Sequence, residues 1–191
     1  MSLRELSLFS GAGGGLLGTK MLGFNHIGYV EFNEYCQQVI RQRIDDGYLD
    51  EAPIFTDVRE FLQSGAAKQY RGFADLVTAG FPCQPFSVAG KQDAGEDERN
   101  MWPSTIGIIR AVRPEHCLLE NVPGLLGAGE QTQCLDNGEY GSFRYIYSIF
   151  RDLAEAGYDA RWCVLGADDC GAHHRRKRLW IYAHTKHFGL S

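Results

Sequence analysis

Residues 6–31, LSLFSGAGGGLLGTKMLGFNHIGYVE, join a short apolar strand to a glycine-rich turn, a helix and a second strand. The apolar run 6–9 predicts a buried strand, and the glycines within 10–15 allow a ligand to approach the backbone closely. A helix over 16–22 and a strand over 26–31 follow. The second strand ends in Glu31, 18 residues beyond Gly13. This order predicts the opening unit of a mostly parallel α/β sheet.

The remaining sequence repeats the alternation of strands and helices. Apolar spacing and turn residues predict helices over 36–44, 57–62, 103–112 and 142–156, and strands over 73–79, 116–120, 160–165 and 179–183. The glycine-rich, polar segment 124–141 is interpreted as a long surface loop. Alternating elements of this kind predict an α/β fold with helices on both faces of the sheet.

Composition limits the class of protein. The 191 residues, 44% of them hydrophobic, suffice for one domain with a full core. Six cysteines without a CxxC pair, together with an N-terminus unlike a signal peptide, predict a cytoplasmic protein with reduced thiols and no metal site. The apolar runs are too short to span a membrane, so no membrane association is expected. A formal net charge of −5 leaves only a local basic patch, 175–178, for contact with nucleic acid.

The glycine turn and Glu31 suit a cofactor that contains adenosine. An acid at the end of the second strand can accept hydrogen bonds from both ribose hydroxyls. Leu16 stands where a dinucleotide-binding turn has its third glycine, which disfavours a plain dinucleotide fold. Asp57 could accept from an adenine amino group, although for Asp57 taken alone a helix N-cap is the better explanation. A tight structural turn remains the alternative for the glycines.

Residues 80–87, GFPCQPFS, present a thiol at the end of a predicted strand. The two prolines flanking Cys83 fix their own φ angles and keep the chain out of a helix, and polar Gln84 and Ser87 argue against a buried position. A thiolate is a strong nucleophile, but an ordinary cysteine is ionised only to a few per cent at neutral pH. Nearby cations would therefore help it. The alternative is a structural cysteine.

A second candidate group ends the strand 116–120. The Glu120 carboxylate could hold or donate a proton on an electrophile attacked by Cys83, and Arg176 and Arg178 could supply positive charge. Taken alone, residues 120–124 are also an ordinary turn, because Asn, Pro and Gly favour turns.

Four of these motifs, in this order, resemble the DNA (cytosine-5)-methyltransferases. The matching elements are FSGAGG at 9–14, GFPCQPFS at 80–87, ENV at 120–122 and H-x-R-x-R at 174–178, where His174 replaces the usual glutamine. The resemblance implies a Rossmann-like, S-adenosylmethionine-dependent methyltransferase fold and a single catalytic domain over 1–191. It also implies that double-stranded DNA is the substrate. Members of the family continue into a target-recognition domain and a closing helix, which we expect to be absent here. The chain could then be an isolated catalytic domain, one half of a split enzyme whose complementary chain supplies target recognition, or a truncated relic.

The resemblance assigns the chemistry residue by residue. Cys83 would add to C6 of a flipped cytosine, so that C5 can attack the methyl group of S-adenosyl-L-methionine. Glu120 would contact the base at N3 and the exocyclic amine. Arg178 would approach O2, and Arg176 would hold the backbone phosphate and the Cys83 loop. Gln84, Ser87 and Asn121 would complete the substrate contacts.

The resemblance also assigns the cofactor contacts. Aromatic side chains would pack beside the adenine, the glycine turn would approach the methionine moiety, and Glu31 would hold the ribose. The implied cofactor-binding residues are Phe9, Ser10, Gly11, Gly13, Gly14, Glu31, Phe32, Asp57, Val58, Pro82 and Trp102.

Three other interpretations stay open. One branch of the family methylates tRNA with the same motifs, so a tRNA cytosine-5 methyltransferase is an alternative. An inactive module that binds a cofactor or a partner is another. A thiol-dependent hydrolase is the least favoured, because no histidine or asparagine is placed by sequence as a base for Cys83. If a closing helix is missing, apolar residues should lie exposed near the cofactor site and favour a dimer or a partner.

Overall fold

The computed structural model describes residues 2–82, 100–126, 129–132 and 141–185, with only the backbone described for 129–132 and 141–144. The helices are α1 (Gly14–Met21), α2 (Glu34–Asp45), α3 (Val58–Gln63), α4 (Trp102–Val112) and α5 (Tyr145–Glu155). The strands are β1 (Arg4–Leu8), β2 (Asn25–Val30), β3 (Ile54–Phe55), β4 (Leu76–Ala79), β5 (His116–Asn121), β6 (Gly129–Thr132), β7 (Gly141–Arg144), β8 (Tyr158–Leu165) and β9 (Arg178–Thr185). None of the helices in these ranges is both long and apolar enough to cross a membrane.

Seven strands form one sheet in the order β3-β2-β1-β4-β5-β9-β8. The first five are parallel to their neighbours, whereas β9 runs antiparallel to both β5 and β8. The predicted α/β class with a mostly parallel sheet is therefore confirmed. Because β1 lies between β2 and β4, the loops that follow these three strands meet at one edge of the sheet.

Strand β1 shows how the two faces of the sheet differ. Successive side chains of a strand point to opposite faces. Leu6 and Leu8 are buried in the main core, which packs against α3, α4 and α5. Glu5 and Ser7 are also buried but point to the other face, which α1 partly covers. A smaller core of Leu16, Tyr29, Ile40 and Leu49 joins α1 and α2 to that face, so helices lie on both sides of the sheet.

The structure corrects the sequence prediction between residues 124 and 145. The predicted surface loop contains a 3-10 turn, Pro123–Leu126, and strand β6, which pairs antiparallel with β7. The helix predicted to start at 142 begins instead at Tyr145, because residues 142–144 pair as part of β7. Backbone pairing with a distant segment outweighs helical periodicity there. The strand predicted over 73–79 is likewise shorter, since Phe73 and Ala74 close a turn on Tyr70.

Gly28 in β2 provides a test of packing between the sheet and the main core. A Cβ atom at this position would lie 2.6 Å from the Tyr70 hydroxyl and 2.9 Å from Leu6 Cδ1, and both of those side chains are buried. We expect Gly28→Ala to lower the free energy of unfolding by about 1–3 kcal/mol, because neither neighbour has room to move. Urea denaturation followed by circular dichroism measures this difference.

The matched control is Gly18→Ala in α1, where an added Cβ meets no atom within 4 Å. Alanine in a helix interior should stabilise the protein by roughly 0.5–1 kcal/mol at this position. Equal effects of the two substitutions would contradict the packing argument.

Candidate active site

The turn after β1, the end of β4 with Gly80, Glu120 near the end of β5 and the chain between β8 and β9 line a groove of about 890 Å³ that reaches the carboxyl edge of the parallel strands. Its lining brings together segments that are far apart in sequence. Five of the predicted site residues line one end of the groove: Phe9, Ser10, Glu120, Arg176 and Arg178. The other end continues across the sheet face toward α1. Carboxyl-edge grooves are where open α/β sheets bind ligands.

The turn after β1 has an unusual backbone. Phe9 has a φ of +54°, although it is not a glycine, and Gly11 and Gly13 have φ values of +57° and +89°. Positive φ is costly for side chains other than glycine, and such positions cluster at functional sites. Ser10 Oγ lies 3.0 Å from Ser7 Oγ and 3.2 Å from the Ser7 carbonyl, and Gly14 starts α1. The predicted cofactor turn is thus held in a defined, strained conformation.

Glu31 joins the turn after β1 to the loop after β2. Its side chain accepts a hydrogen bond from Gly11 N at 2.7 Å through Oε2 and from Asn33 N at 2.8 Å through Oε1. Glu31 is 8% exposed. An ionised carboxylate has about four acceptor positions, so two remain after these bonds. The geometry therefore fits a ligand with two adjacent hydroxyls, such as the ribose of an adenosine cofactor.

The residues predicted to surround the adenine differ in accessibility. Phe32 is 74% exposed, so a planar ring can stack on it, whereas Val58 is buried in the main core. Asp57 caps α3 by accepting from Arg59 N, and its Oδ2 also accepts from Arg59 Nη2 at 2.7 Å. These bonds with Arg59 hold the pKa of Asp57 below its usual range. Arg59 was not selected from the sequence, and an adenine amine would have to compete with it for the same carboxylate.

Glu120 and Arg178 form an ion pair at the groove. Arg178 Nε lies 2.7 Å from Glu120 Oε1 across the antiparallel β5–β9 pair. The chain that leaves β4, residues 80–82, is called the β4 exit. Glu120 Oε2 lies over it, because a Cβ atom at Gly80 would be only 3.4 Å from that oxygen. Arg176 lines the same groove, is exposed and has a φ of +25°. The sheet therefore brings the carboxylate and both arginines to the turn that leads toward Cys83.

Cys83, Gln84 and Ser87 lie outside the described residues. Pro82, directly before Cys83, is described and exposed. Asn121 is 5% exposed, and its Nδ2 donates to the Phe81 carbonyl at 3.0 Å. Its predicted contact with substrate stays a prediction, but the structure gives it a contact with the β4 exit. Trp102, predicted to contact the cofactor, is 3% exposed and packs on Phe81 with ring centroids 5.3 Å apart.

A buried polar cluster that the sequence analysis missed forms the floor of the groove. Glu5 Oε1 accepts from the Thr78 hydroxyl at 2.6 Å, and Glu5 Oε2 lies 3.6 Å from His26 Nε2. Thr19 Oγ1 lies 3.1 Å from the same imidazole nitrogen. Burial raises the pKa of Glu5 and lowers that of His26, so both shifts favour the neutral forms. In the part of the chain that is described, Glu5 Oε2 has no hydrogen-bond partner.

Apolar side chains lie exposed beside this floor. Met21 and Leu22, at the end of α1, are 89% and 72% exposed and line the groove. Across the described ranges, no three or more His, Cys, Asp or Glu side chains are grouped so that they could hold a metal ion.

Comparison with known proteins assigns the chain to a family. A family model described as C-5 cytosine-specific DNA methylase matches residues 3–191. This chain belongs to the C-5 cytosine-specific DNA methylase family. The predicted resemblance is thereby confirmed, and membership in this methylase family implies S-adenosyl-L-methionine as the methyl donor.

Individual relatives of this chain are substantially longer. Type II methyltransferase M.NgoMIV of Neisseria gonorrhoeae is 33% identical over 183 residues, which are 96% of this chain and 52% of the relative. Type II methyltransferase M.CviJI of Paramecium bursaria Chlorella virus IL3A is 30% identical over 189 residues, which are 98% of this chain and 45% of the relative. The chain thus spans about half the length of the curated relatives that it matches.

Solved structures support the fold of the methylase. A DNMT2 variant from Spodoptera frugiperda superposes with a TM-score of 0.69 at 22% identity, covering 98% of this chain and 51% of that one. A putative DNA modification methyltransferase encoded within an E. coli prophage gives a TM-score of 0.71 at 24% identity, covering 100% of this chain and 49% of that one.

Asn121 allows a test of the contact between the ENV motif and the β4 exit. In Asn121→Asp a carboxylate oxygen replaces the amide that donates to the Phe81 carbonyl, so two acceptors face each other in a buried position. We expect a loss of about 1–3 kcal/mol in the free energy of unfolding, measured by urea denaturation without any ligand. Unchanged stability would show that the Asn121–Phe81 contact contributes nothing.

The buried carboxyl of Glu5 predicts a dependence of stability on pH. Its raised pKa means that the folded protein binds this proton more tightly than the unfolded chain, so stability falls as pH rises through the folded-state pKa. Glu5→Gln keeps an acceptor for Thr78 but cannot ionise. We expect it to raise Tm by about 2–6 °C at pH 8 and by less at pH 5. A benefit that is equal at both pH values would contradict burial as the cause.

Proposed function

We propose that this chain is the catalytic domain of a methylase that transfers a methyl group to C5 of cytosine in double-stranded DNA. The observation that carries the proposal is the Glu120–Arg178 pair, 2.7 Å apart, at the β4 exit that leads to Cys83. The strained turn at Phe9 and the Glu31 carboxylate border the same edge of the sheet. Methyl donor and base can therefore meet at this edge.

The donor supplies an electrophilic methyl group when it is bound. Phe9 and Phe32 contact its adenine, and Glu31 accepts from its ribose through the two acceptor positions that Gly11 and Asn33 leave free. The turn from Ser10 to Gly14 lies against the rest of the molecule. Asp57 and the main chain near Pro82 complete the contacts, and Asp57 reaches the adenine amine only if it shares its carboxylate with Arg59.

The base is prepared by three residues of this chain. The Cys83 thiolate forms a bond to C6 of the flipped cytosine, and the electron pair displaced from the C5–C6 double bond makes C5 nucleophilic. Glu120 accepts a hydrogen bond from the exocyclic amine and shares a proton with N3, which stabilises the charge that develops on the ring. Arg178 approaches O2 while it keeps the Glu120 carboxylate oriented. C5 takes the methyl group as the bond between that group and the donor's sulfur breaks. The C5 proton then passes to a water molecule while the bond between the Cys83 sulfur and C6 breaks, which restores the aromatic ring and the thiolate.

The choice of target sequence is assigned to residues outside this domain. The chain spans about half the length of its curated relatives, and its formal net charge is −5. Specific readout in the major groove needs side chains that reach base edges. We propose that a complementary chain or domain supplies them, and that Arg176 contributes a phosphate contact.

The direct test is transfer of a labelled methyl group from S-adenosyl-L-methionine to mixed-sequence duplex DNA, with tRNA assayed in parallel. We expect label on DNA, its loss in Cys83→Ser and a fall of about 10²- to 10⁴-fold in Glu120→Gln. The matched control is Cys163→Ser, because Cys163 is an exposed cysteine on β8 and should be dispensable.

Each outcome identifies one interpretation. Label on tRNA but not on DNA would favour the tRNA methyltransferase. Cofactor binding without transfer to either nucleic acid, and without a covalent adduct on fluorocytosine DNA, would indicate an inactive binding module. Transfer that survives in Cys83→Ser would rule out the covalent mechanism.

A further inference from the structure

Trp102 contacts both described flanks of residues 83–99. On the N-terminal flank its ring packs on Phe81, with centroids 5.3 Å apart. On the C-terminal flank its backbone N donates to Asn100 Oδ1 at 3.1 Å. Phe81 and Trp102 are 2% and 3% exposed, so the contact lies inside the main core. Trp102, at the start of α4, therefore contacts both Phe81 after β4 and Asn100 before α4.

Helix α5 fixes this tryptophan from behind. The indole Nε1 donates to Asp152 Oδ2 at 2.8 Å. Seven residues earlier on the same helix, the Tyr145 hydroxyl donates to Asn100 Oδ1 at 2.7 Å. Positions seven residues apart lie on one face of a helix. One face of α5 thus holds both Trp102 and Asn100.

The bond to Asp152 determines how the buried ring is oriented. A buried N–H group without an acceptor is costly, and a bond to an ionised carboxylate is about twice as strong as one between neutral groups. The ring plane that satisfies Asp152 is also the plane that packs on Phe81. Asn121 holds the carbonyl of the same residue. Phe81 is therefore fixed through its ring and through its backbone, two positions before Cys83.

We propose that Trp102 and Asp152 are positioning residues for the reaction, which act on the β4 exit through Phe81. The inference rests on the proposed function, because it takes Cys83 as the nucleophile. It gives the Trp102 side chain a different role from the predicted cofactor contact. An error of about 1 Å in the placement of a reacting group can lower a rate by about 100-fold, so an anchor of this kind has a direct kinetic consequence.

The test compares four variants. Asp152→Leu removes the acceptor, Trp102→Phe removes the donor, and Asp152→Asn keeps an acceptor without the charge. Glu155→Gln is the matched control, since Glu155 lies one turn further along α5 with a side chain 60% exposed. We expect kcat for methyl transfer to fall about 10- to 100-fold in Asp152→Leu and Trp102→Phe, while KM for S-adenosyl-L-methionine stays unchanged. Asp152→Asn should restore most of the rate.

A second readout does not depend on methyl transfer. Alkylation by iodoacetamide, resolved by mass spectrometry, gives the rate at Cys83 relative to the exposed Cys163 and Cys170 in the same molecule. We expect Asp152→Leu to change the relative rate at Cys83 by at least about threefold, because thiol reactivity follows the local environment. Asp152→Asn and Glu155→Gln should leave it unchanged.

The outcomes separate the two proposals. A parent protein without methyl transfer contradicts the proposed function, while the alkylation series still decides whether Trp102 and Asp152 act on the β4 exit. A rise in KM for the cofactor with unchanged kcat would overturn positioning in favour of direct cofactor contact. A lower Tm without any change in kcat or in Cys83 alkylation would overturn the positioning role and show that the contact between Trp102 and Asp152 only stabilises the fold.

Discussion

Parallel pairing of β1 with both β2 and β4 is the constraint on which the site depends. Parallel neighbours end at the same edge of a sheet. The turn at Phe9, the acid at Glu31 and the chain that leads to Cys83 therefore lie at one edge, and no long loop is needed to bring them together. Strand β5 extends this edge and adds Glu120. The antiparallel strand β9 then enters from the opposite direction, so its first residue, Arg178, reaches the same edge.

Each carboxylate at this edge has a partner suited to its position. Glu31 is buried and accepts hydrogen bonds from two backbone amides. These two bonds leave the remaining acceptor positions of the carboxylate free for a ligand. Glu120 is more exposed and is held by an arginine. Asp57 is held by Arg59 and by the start of α3. These contacts preorganise acceptors before any ligand binds, which lowers the cost of ordering them during the reaction.

The two faces of the sheet have different tasks. The apolar face packs against α3, α4 and α5, and through Trp102 it also contacts Phe81 at the edge of the sheet. The other face has a polar floor around Glu5 and His26, with exposed Met21 and Leu22 beside it. The Glu5 Oε2 atom, which has no hydrogen-bond partner among the described residues, and the exposed apolar side chains next to it distinguish this face from a fully packed core.

The sequence by itself determined the alternation of strands and helices outside residues 124–145, the fold class and the family. Glycines after β1, prolines after β4 and apolar periodicity are local signals, and four motifs in order were specific enough to name the family before any contact was known. The sequence also selected Glu31 and Glu120, because acids at the carboxyl ends of strands converge in a parallel sheet, and it selected Arg178 as a source of positive charge near Cys83.

Only the tertiary structure decided what those residues contact. It showed the β6–β7 pair, the antiparallel direction of β9, the pairing of Asp57 with Arg59 and the burial of Trp102 against Phe81 and Asp152. The physical reason is the separation of the contacting residues along the sequence. Turn chemistry and periodicity act over a few residues, whereas Trp102 and Asp152 are separated by 50 residues in sequence, and packing rather than propensity selects their contact.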